Sequence, residues 1–262
     1  MVAIAVRVAI VFGTRPEAIK LAPVYEAMQE RADLEPVLMA TGQHREMLGQ
    51  VLDIFDLEPQ VSLDIMEHGQ TLGDVLSRAF KGLEEAIGAV APDVVLVQGD
   101  TATTLAGALA GFFHQVRVGH VEAGLRSGNK YSPFPEEVFR RMTGVIANLH
   151  FAATEQAQAN LLAESVDAES IFVTGNTVID ALRYTARRIG KGHAGPLSRY
   201  AAELGPLDGL KDTDRIVLVT GHRRESFGQG LENICLAVSD LARHWPDVFF
   251  VYPVHLNPSV FE

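Results

Sequence analysis

Apolar residues along this chain alternate between two patterns. Short unbroken runs at 6–12, 36–40, 94–98, 116–121 and 149–153 read as strands buried on both faces. Between them the apolar residues fall three and four apart. The clearest case is 71–91, where Leu72, Val75, Leu76, Ala79, Leu83, Ala86, Ile87 and Val90 make one face of a helix. The same spacing predicts helices over 16–31, 102–114 and 136–148. Strand and helix in alternation imply parallel strands joined by right-handed crossovers, which is a doubly wound α/β sheet.

Ligands of such sheets bind just beyond the carboxyl ends of the strands. Four segments follow predicted strand ends, at 13–17, 41–45, 99–101 and 122–126, and each is rich in polar, charged or glycine residues. Past Val173-Thr174-Gly175-Asn176 comes a helix to about Arg188, then a Gly-, Pro- and Lys-containing stretch to about Asp214. A second set of elements follows: strand 216–220, helix 228–245 and strand 248–252. With 262 residues the chain exceeds the usual ceiling for one core. The expected division is an N-terminal Rossmann-like domain over 1–173 and a partial C-terminal Rossmann-like domain over 174–262. Fewer residues remain after the junction than the order of 150 that a complete domain of this kind takes.

Composition narrows the classes. No apolar run reaches the ~18 residues that span a bilayer, so a soluble protein is expected. The first twelve residues lack a small-residue cleavage site, which argues against a signal peptide. A single cysteine, Cys235, leaves no disulfide and suits a reducing, cytoplasmic setting; its place on a predicted helical stripe makes it an expected buried small hydrophobe. A formal charge of −11 repels polyanions, so neither nucleic acid nor membrane is an expected partner, and an anionic ligand must be gripped locally.

Candidate chemistry sits at the strand ends. In Gly13-Thr14-Arg15-Pro16-Glu17 a glycine permits the turn and a proline suits the first helical position, leaving a helix N-terminus to face an anion with Arg15 and Lys20 beside it. A well-made turn with a solvated arginine is the plainer alternative. Asp100 follows the next strand, as a site carboxylate or simply as a helix N-cap. Glu122, among glycines and Arg126, points more firmly to a site. Glu136 opens a helix and stands four residues before Arg140, the spacing of an ordinary surface pair. Asp100, Glu122 and Glu136 nonetheless all fall in segments expected along one sheet edge. Carboxylates so gathered cannot all ionise cheaply, which suits acid and base chemistry. His222, flanked by arginine and glycine after a later strand, is a further candidate, and His255 follows the strand after it. The nine histidines show no metal-ligand spacing, and neither a dinucleotide fingerprint nor a P-loop is present, so no metal and no cofactor is expected.

The segments Gly13-Thr14-Arg15-Pro16-Glu17 with Lys20, Gly42-Gln43-His44-Arg45-Glu46, Gln98-Gly99-Asp100-Thr101, His120-Val121-Glu122-Ala123-Gly124-Leu125-Arg126, Pro135-Glu136-Glu137, Gly175-Asn176-Thr177 and His222-Arg223-Arg224-Glu225 together resemble the non-hydrolysing bacterial UDP-N-acetylglucosamine 2-epimerases. The resemblance runs from Ala9 to the end of the chain. It implies two Rossmann-like domains in the glycosyltransferase-B arrangement, a homodimer, and interconversion of UDP-N-acetylglucosamine with UDP-N-acetylmannosamine through loss of UDP to a 2-acetamidoglucal and its re-addition. By the same resemblance Asp100, Glu122, Glu136 and His222 are catalytic, Arg140 supports the carboxylates, and Arg15 and Lys20 lie on the UDP side. Some members also bind a second UDP-N-acetylglucosamine as an allosteric activator, and the matching positions are Gln43, Glu46, Glu136, Arg223 and His255. The family's chain continues past Glu262 with a segment that holds uridine and diphosphate. Two alternatives stay open: a hydrolysing epimerase or related sugar transferase, separable by products, and a nucleotide-sugar binding module without turnover.

Overall fold

The computed structural model describes residues 5–42, 45–67, 69–190, 210–211, 213–221 and 228–253. They form two compact units, 1–198 and 199–262. The first runs β1 (Val6–Phe12), α1 (Arg15–Gln29), β2 (Leu34–Ala40), α2 (Arg45–Phe55), β3 (Val61–Ser62), α3 (Leu72–Val90), β4 (Val94–Gln98), α4 (Ala102–Phe113), β5 (Arg117–Ala123), α5 (Glu136–Ile146), β6 (Leu149–Ala152), α6 (Glu155–Ala163), β7 (Ile171–Val173) and α7 (Val178–Gly190).

All pairings in its sheet are parallel, in the order β3-β2-β1-β4-β5-β6-β7. The order reverses between β1 and β4. At that switch point the connecting helices leave to opposite faces, and a crevice opens at the carboxyl ends.

Helices cover both faces, so the central strands are apolar throughout: Ala9, Ile10 and Phe12 of β1 and Val95 and Val97 of β4 are fully buried. On one face α1 lays Ala18, Leu21 and Ala22 against β1 and β2. On the other, α3 buries Ala79, Leu83 and Ile87, the centre of the stripe read from its spacing. Burial of such aliphatic side chains contributes roughly 1.5–3 kcal/mol each. Helix α4 lies closest to the sheet. A Cβ on its Gly107 would meet Val97 at 3.0 Å and Val11 at 3.2 Å, and one on Gly111 would meet Val118 at 3.0 Å, so glycine there sets the helix-to-sheet distance.

Helix α7 packs on α1 and α2. Tyr184 stacks on Phe55 at 5.4 Å, and Arg188 reaches Asp56 at 2.6 Å. This segment lies past the junction expected near Thr174, yet it is joined to the first unit. In the second unit β8 (Arg215–Leu218) and β9 (Val248–Val251) pair in parallel and are linked through α8 (Gln229–His244). Cys235 corrects an expectation: it is exposed. The less exposed positions of α8 are Gly230, Leu231, Ile234, Val238 and Ser239; Cys235 falls within their spread around the helix and is exposed nonetheless. Among the described residues no helix is long and apolar enough to cross a membrane.

Candidate active site

The turns after β1, β4 and β5 meet at the switch-point edge. After β1, Gly13 is pressed beneath a hydrogen bond between the hydroxyls of Thr41 and Thr103 (2.9 Å), and a Cβ there would stand 2.2 Å from Thr41 Oγ1. The expectation of a helix N-terminus open to an anion is narrowed here to the amides of α1 itself, since those of the two residues before it are taken. The amides of Gly13 and Thr14 both donate to Glu17 Oε2, at 2.9 and 2.7 Å, because a carboxylate three residues into the helix folds back on its own first turn. Arg15 is half-buried beside it and makes no ion pair with a described residue.

After β4, the N-cap of α4 is Thr101, whose Oγ1 accepts from the amide of Thr104 at 3.2 Å. Asp100 is therefore not the cap, and its carboxylate is free to turn into the crevice. There Arg140 of α5 meets it at 2.5 Å. Burial pushes the Asp100 carboxyl above the ordinary carboxylate value; Arg140 opposes this, Glu136 and Glu122 reinforce it, and Lys20 opposes it weakly. This carboxyl is suited to holding a proton.

The register of β5 against β6 shifts between Val121 and Ala123, and Glu122 sits in that bulge with φ +65°. A left-handed backbone at a non-glycine residue costs of order 1–3 kcal/mol, and here it re-aims the side chain toward the crevice. Three donors hold it. Lys20 Nζ and the buried Gln98 amide both reach Glu122 Oε2 at 2.5 Å, and the Asn176 amide reaches Oε1 at 2.8 Å.

Glu136 and Glu137 open α5, favourably for its dipole. They differ in role. Glu137 is fully buried, accepts from the amides of Ser127 (3.0 Å) and Gly128 (3.3 Å), and lies 3.7 Å from Arg140 Nη1. Glu136 keeps a buried Oε2 without a partner, and so does Arg140 Nε. The recorded partners of Arg140 are thus Asp100 and Glu137, rather than the Glu136 that its spacing allowed. Arg126 is bound to Glu164 through two bonds of 2.9 and 2.8 Å, a structural tie at the far side of the same loop.

His120 is completely buried on β5, with Nε2 2.7 Å from the carbonyl of Gly99. Burial lowers its pKa to about 4, so the ring is neutral and Nε2 carries the proton it donates. In the unfolded chain the ring titrates near its ordinary 6.5. Its stabilisation is whole above that value and is lost as pH falls toward 4, where the unfolded state takes the proton first. We expect about 3 kcal/mol to disappear across that window. Denaturant unfolding at pH 7 and pH 4.5 should show a clearly smaller fall for His120→Gln than for the wild type; parallel falls would contradict it.

The structure thus brings together Asp100, Glu122, Lys20 and Arg140, with Glu136 close enough to act on Asp100. Gln43, His222, Arg223 and His255 lie outside the described residues, and of Glu46 only the backbone, in α2, is described. Sequence reasoning left Gln98, Glu137 and Asn176 without roles. Their signal was present, since all stand in polar segments at strand ends or a helix start. Among the described residues no group of acidic, histidine or cysteine side chains is arranged to hold a metal.

A doubly wound parallel sheet whose switch-point edge carries opposed carboxylates, braced by a lysine and an arginine, defines an α/β enzyme domain of the nucleotide-binding kind. Residues 26–262 match the UDP-N-acetylglucosamine 2-epimerase family. A Ralstonia nicotianae protein described as a probable UDP-N-acetylglucosamine 2-epimerase is 53% identical over 256 residues, covering 98% of this chain and 67% of its own. The Bacillus subtilis UDP-N-acetylglucosamine 2-epimerase is 50% identical, covering 98% and 64%. The crystal structure of the Neisseria meningitidis UDP-GlcNAc 2-epimerase bound to UDP-GlcNAc superposes with a TM-score of 0.86 at 43% identity, over 97% of this chain and 67% of that one. The chain belongs to the UDP-N-acetylglucosamine 2-epimerase family, and it spans about two thirds of the length of these relatives.

Proposed function

We propose that the protein interconverts UDP-N-acetylglucosamine and UDP-N-acetylmannosamine. The observation that carries this reading is the meeting of Asp100, Glu122 and Glu136 at one sheet edge, with Lys20 on Glu122 and Arg140 on Asp100.

The hydrogen on carbon 2 is not acidic, because no carbonyl adjoins that carbon directly. Its removal must therefore be coupled to breaking the bond between carbon 1 and the UDP oxygen, with positive character at carbon 1 as in glycoside cleavage. One carboxylate takes the proton as UDP departs with the bonding pair, leaving a double bond between carbons 1 and 2. UDP then re-adds at carbon 1 while a proton reaches the opposite face of carbon 2. Two faces require two proton-handling groups. Asp100, raised by burial, suits the protonated partner, and Glu122, held by three donors, suits the ionised one. In this reading Arg15, half-buried beside the turn after β1, lies on the UDP side.

The proposal extends to His222 as a catalytic residue and to a homodimer. It also includes a second UDP-N-acetylglucosamine as activator at Gln43, Glu46, Glu136, Arg223 and His255, a second Rossmann-like domain after α7, and a cytoplasmic location. A single cysteine and the absence of a spanning helix among the described residues are in keeping with the last.

Product analysis tests the reaction. Incubated with UDP-N-acetylglucosamine alone, the protein is expected to yield UDP-N-acetylmannosamine and no free sugar. Free N-acetylmannosamine with stoichiometric UDP would favour the hydrolysing alternative, and turnover only with an added acceptor would favour a transferase. Binding without any turnover would leave the module reading.

A further inference from the structure

We infer that Glu17 is a positioning residue, whose carboxylate acts as an internal anion locking the turn after β1 to the turn that carries Asp100. It stands outside the acidic cluster and is only 1% exposed. Each of its oxygens serves a different strand end. Oε2 accepts from the amides of Gly13 and Thr14, at 2.9 and 2.7 Å. Oε1 accepts from the hydroxyl of Thr101 at 2.5 Å and lies 3.0 Å from that of Thr104, whose single proton goes to the nearer carbonyl of Gln98 at 2.7 Å.

No lysine, arginine or histidine pairs with Glu17 among the described residues. Its charge is met by three hydrogen bonds and the positive end of α1, an arrangement that costs heavily if any donor moves. The donors sit in the turn after β1 and at the start of α4, just past the two strands that flank the switch point. One turn further along α1 stands Lys20, which holds Glu122, and one residue before Thr101 stands Asp100. A shift of Glu17 therefore moves partners of both carboxylates at once. Glu17 also occupies the amides of Gly13 and Thr14.

Glutamine keeps the shape and most of the bonds, its carbonyl taking the two backbone amides and its NH2 donating to the threonine hydroxyls, which turn to accept; it removes the charge alone. Alanine empties the cradle while leaving its donors in place, and formate has the charge and size to refill it.

Both variants of the full chain provide the test, and only its kinetic arm rests on the epimerase reading. In thermal unfolding at constant ionic strength, replacing chloride by formate is expected to raise Tm of Glu17→Ala by about 3 °C or more, by mass action on the folded state. The wild type and Glu17→Gln should shift by less than about a third of that. Should Glu17→Ala refold poorly, the same comparison is read as refolding yield. Formate having no more effect than on the wild type overturns the inference.

In the kinetic arm Glu17→Ala is expected to lose about 10²-fold in kcat, with KM within about threefold, as misplacement of reacting groups does, and to recover part of it in formate, whereas Glu17→Gln should stay within about tenfold of the wild type. A folded Glu17→Ala with wild-type kcat also overturns it. A wild type that neither epimerises nor exchanges its substrate's hydrogen would instead overturn the functional reading, and the formate arm would still decide the role of Glu17.

Discussion

Replacing Asp100 with asparagine is expected to lower kcat by about 10³-fold while the protein stays folded, because the change removes a proton-handling group and little packing. Asparagine fills the same space and still accepts from Arg140, which keeps Glu137 at 3.7 Å as its other acidic neighbour. What disappears is a carboxyl raised by burial and by the nearby charges of Glu136 and Glu122. KM should move by less than tenfold, since the lost interaction belongs to the transition state rather than to binding. Steady-state kinetics beside a thermal melt checks this. A folded Asp100→Asn that retains more than a tenth of wild-type kcat would remove Asp100 from the chemistry.

Gly124→Ala is expected to be the most damaging small substitution in the first unit, at about 3–5 kcal/mol of stability. Gly124 follows the Glu122 bulge with φ +85°, and a Cβ there would stand 2.2 Å from the carbonyl oxygen of Ala157. That obstacle is backbone at the start of α6, held in turn by the Asn160 amide, which donates to the Gly124 carbonyl at 2.9 Å. No rotamer change relieves the clash, so either α6 or the loop carrying Glu122 must move. Gly49→Ala is the control. Gly49 lies inside α2 with nothing within 4 Å of the added atom, so alanine should stabilise by about 0.5–1 kcal/mol. Chemical denaturation of both variants decides. A Gly124→Ala protein within 1 kcal/mol of the wild type would show that this loop is not fixed as described.

Much of this architecture was legible from residue pattern alone, and the exceptions have physical causes. The long strands and α3 announce themselves because burial on both faces, or along one stripe, forces a regular pattern. Strand β3 is two residues long and has no pattern to read. Helix α2 did carry a signal, Leu48, Val51, Leu52 and Phe55, but Gly49 interrupts it. Asp100, Glu122 and Glu136 could be placed at one edge because strand ends converge by topology. Their partners could not be named in the same way. That Thr101 rather than Asp100 caps α4 depends on which of two adjacent side chains turns back. The direction of Glu122 depends on a bulge, and nothing in the alternation of β5 marks where the extra residue falls. Glu17 read as an ordinary member of a polar turn, since its bond to Thr101 spans 84 residues of chain.

The central claim is that side chains meeting beyond β1, β4 and β5 remove and return a sugar hydrogen. Incubation with UDP-N-acetylglucosamine in deuterium oxide, followed by proton NMR, tests it most directly. Loss of the carbon 2 proton signal in both epimers, at equal rates of turnover and exchange within a few-fold, is the predicted result. Protium kept at carbon 2 by a folded protein that binds the nucleotide sugar would contradict it.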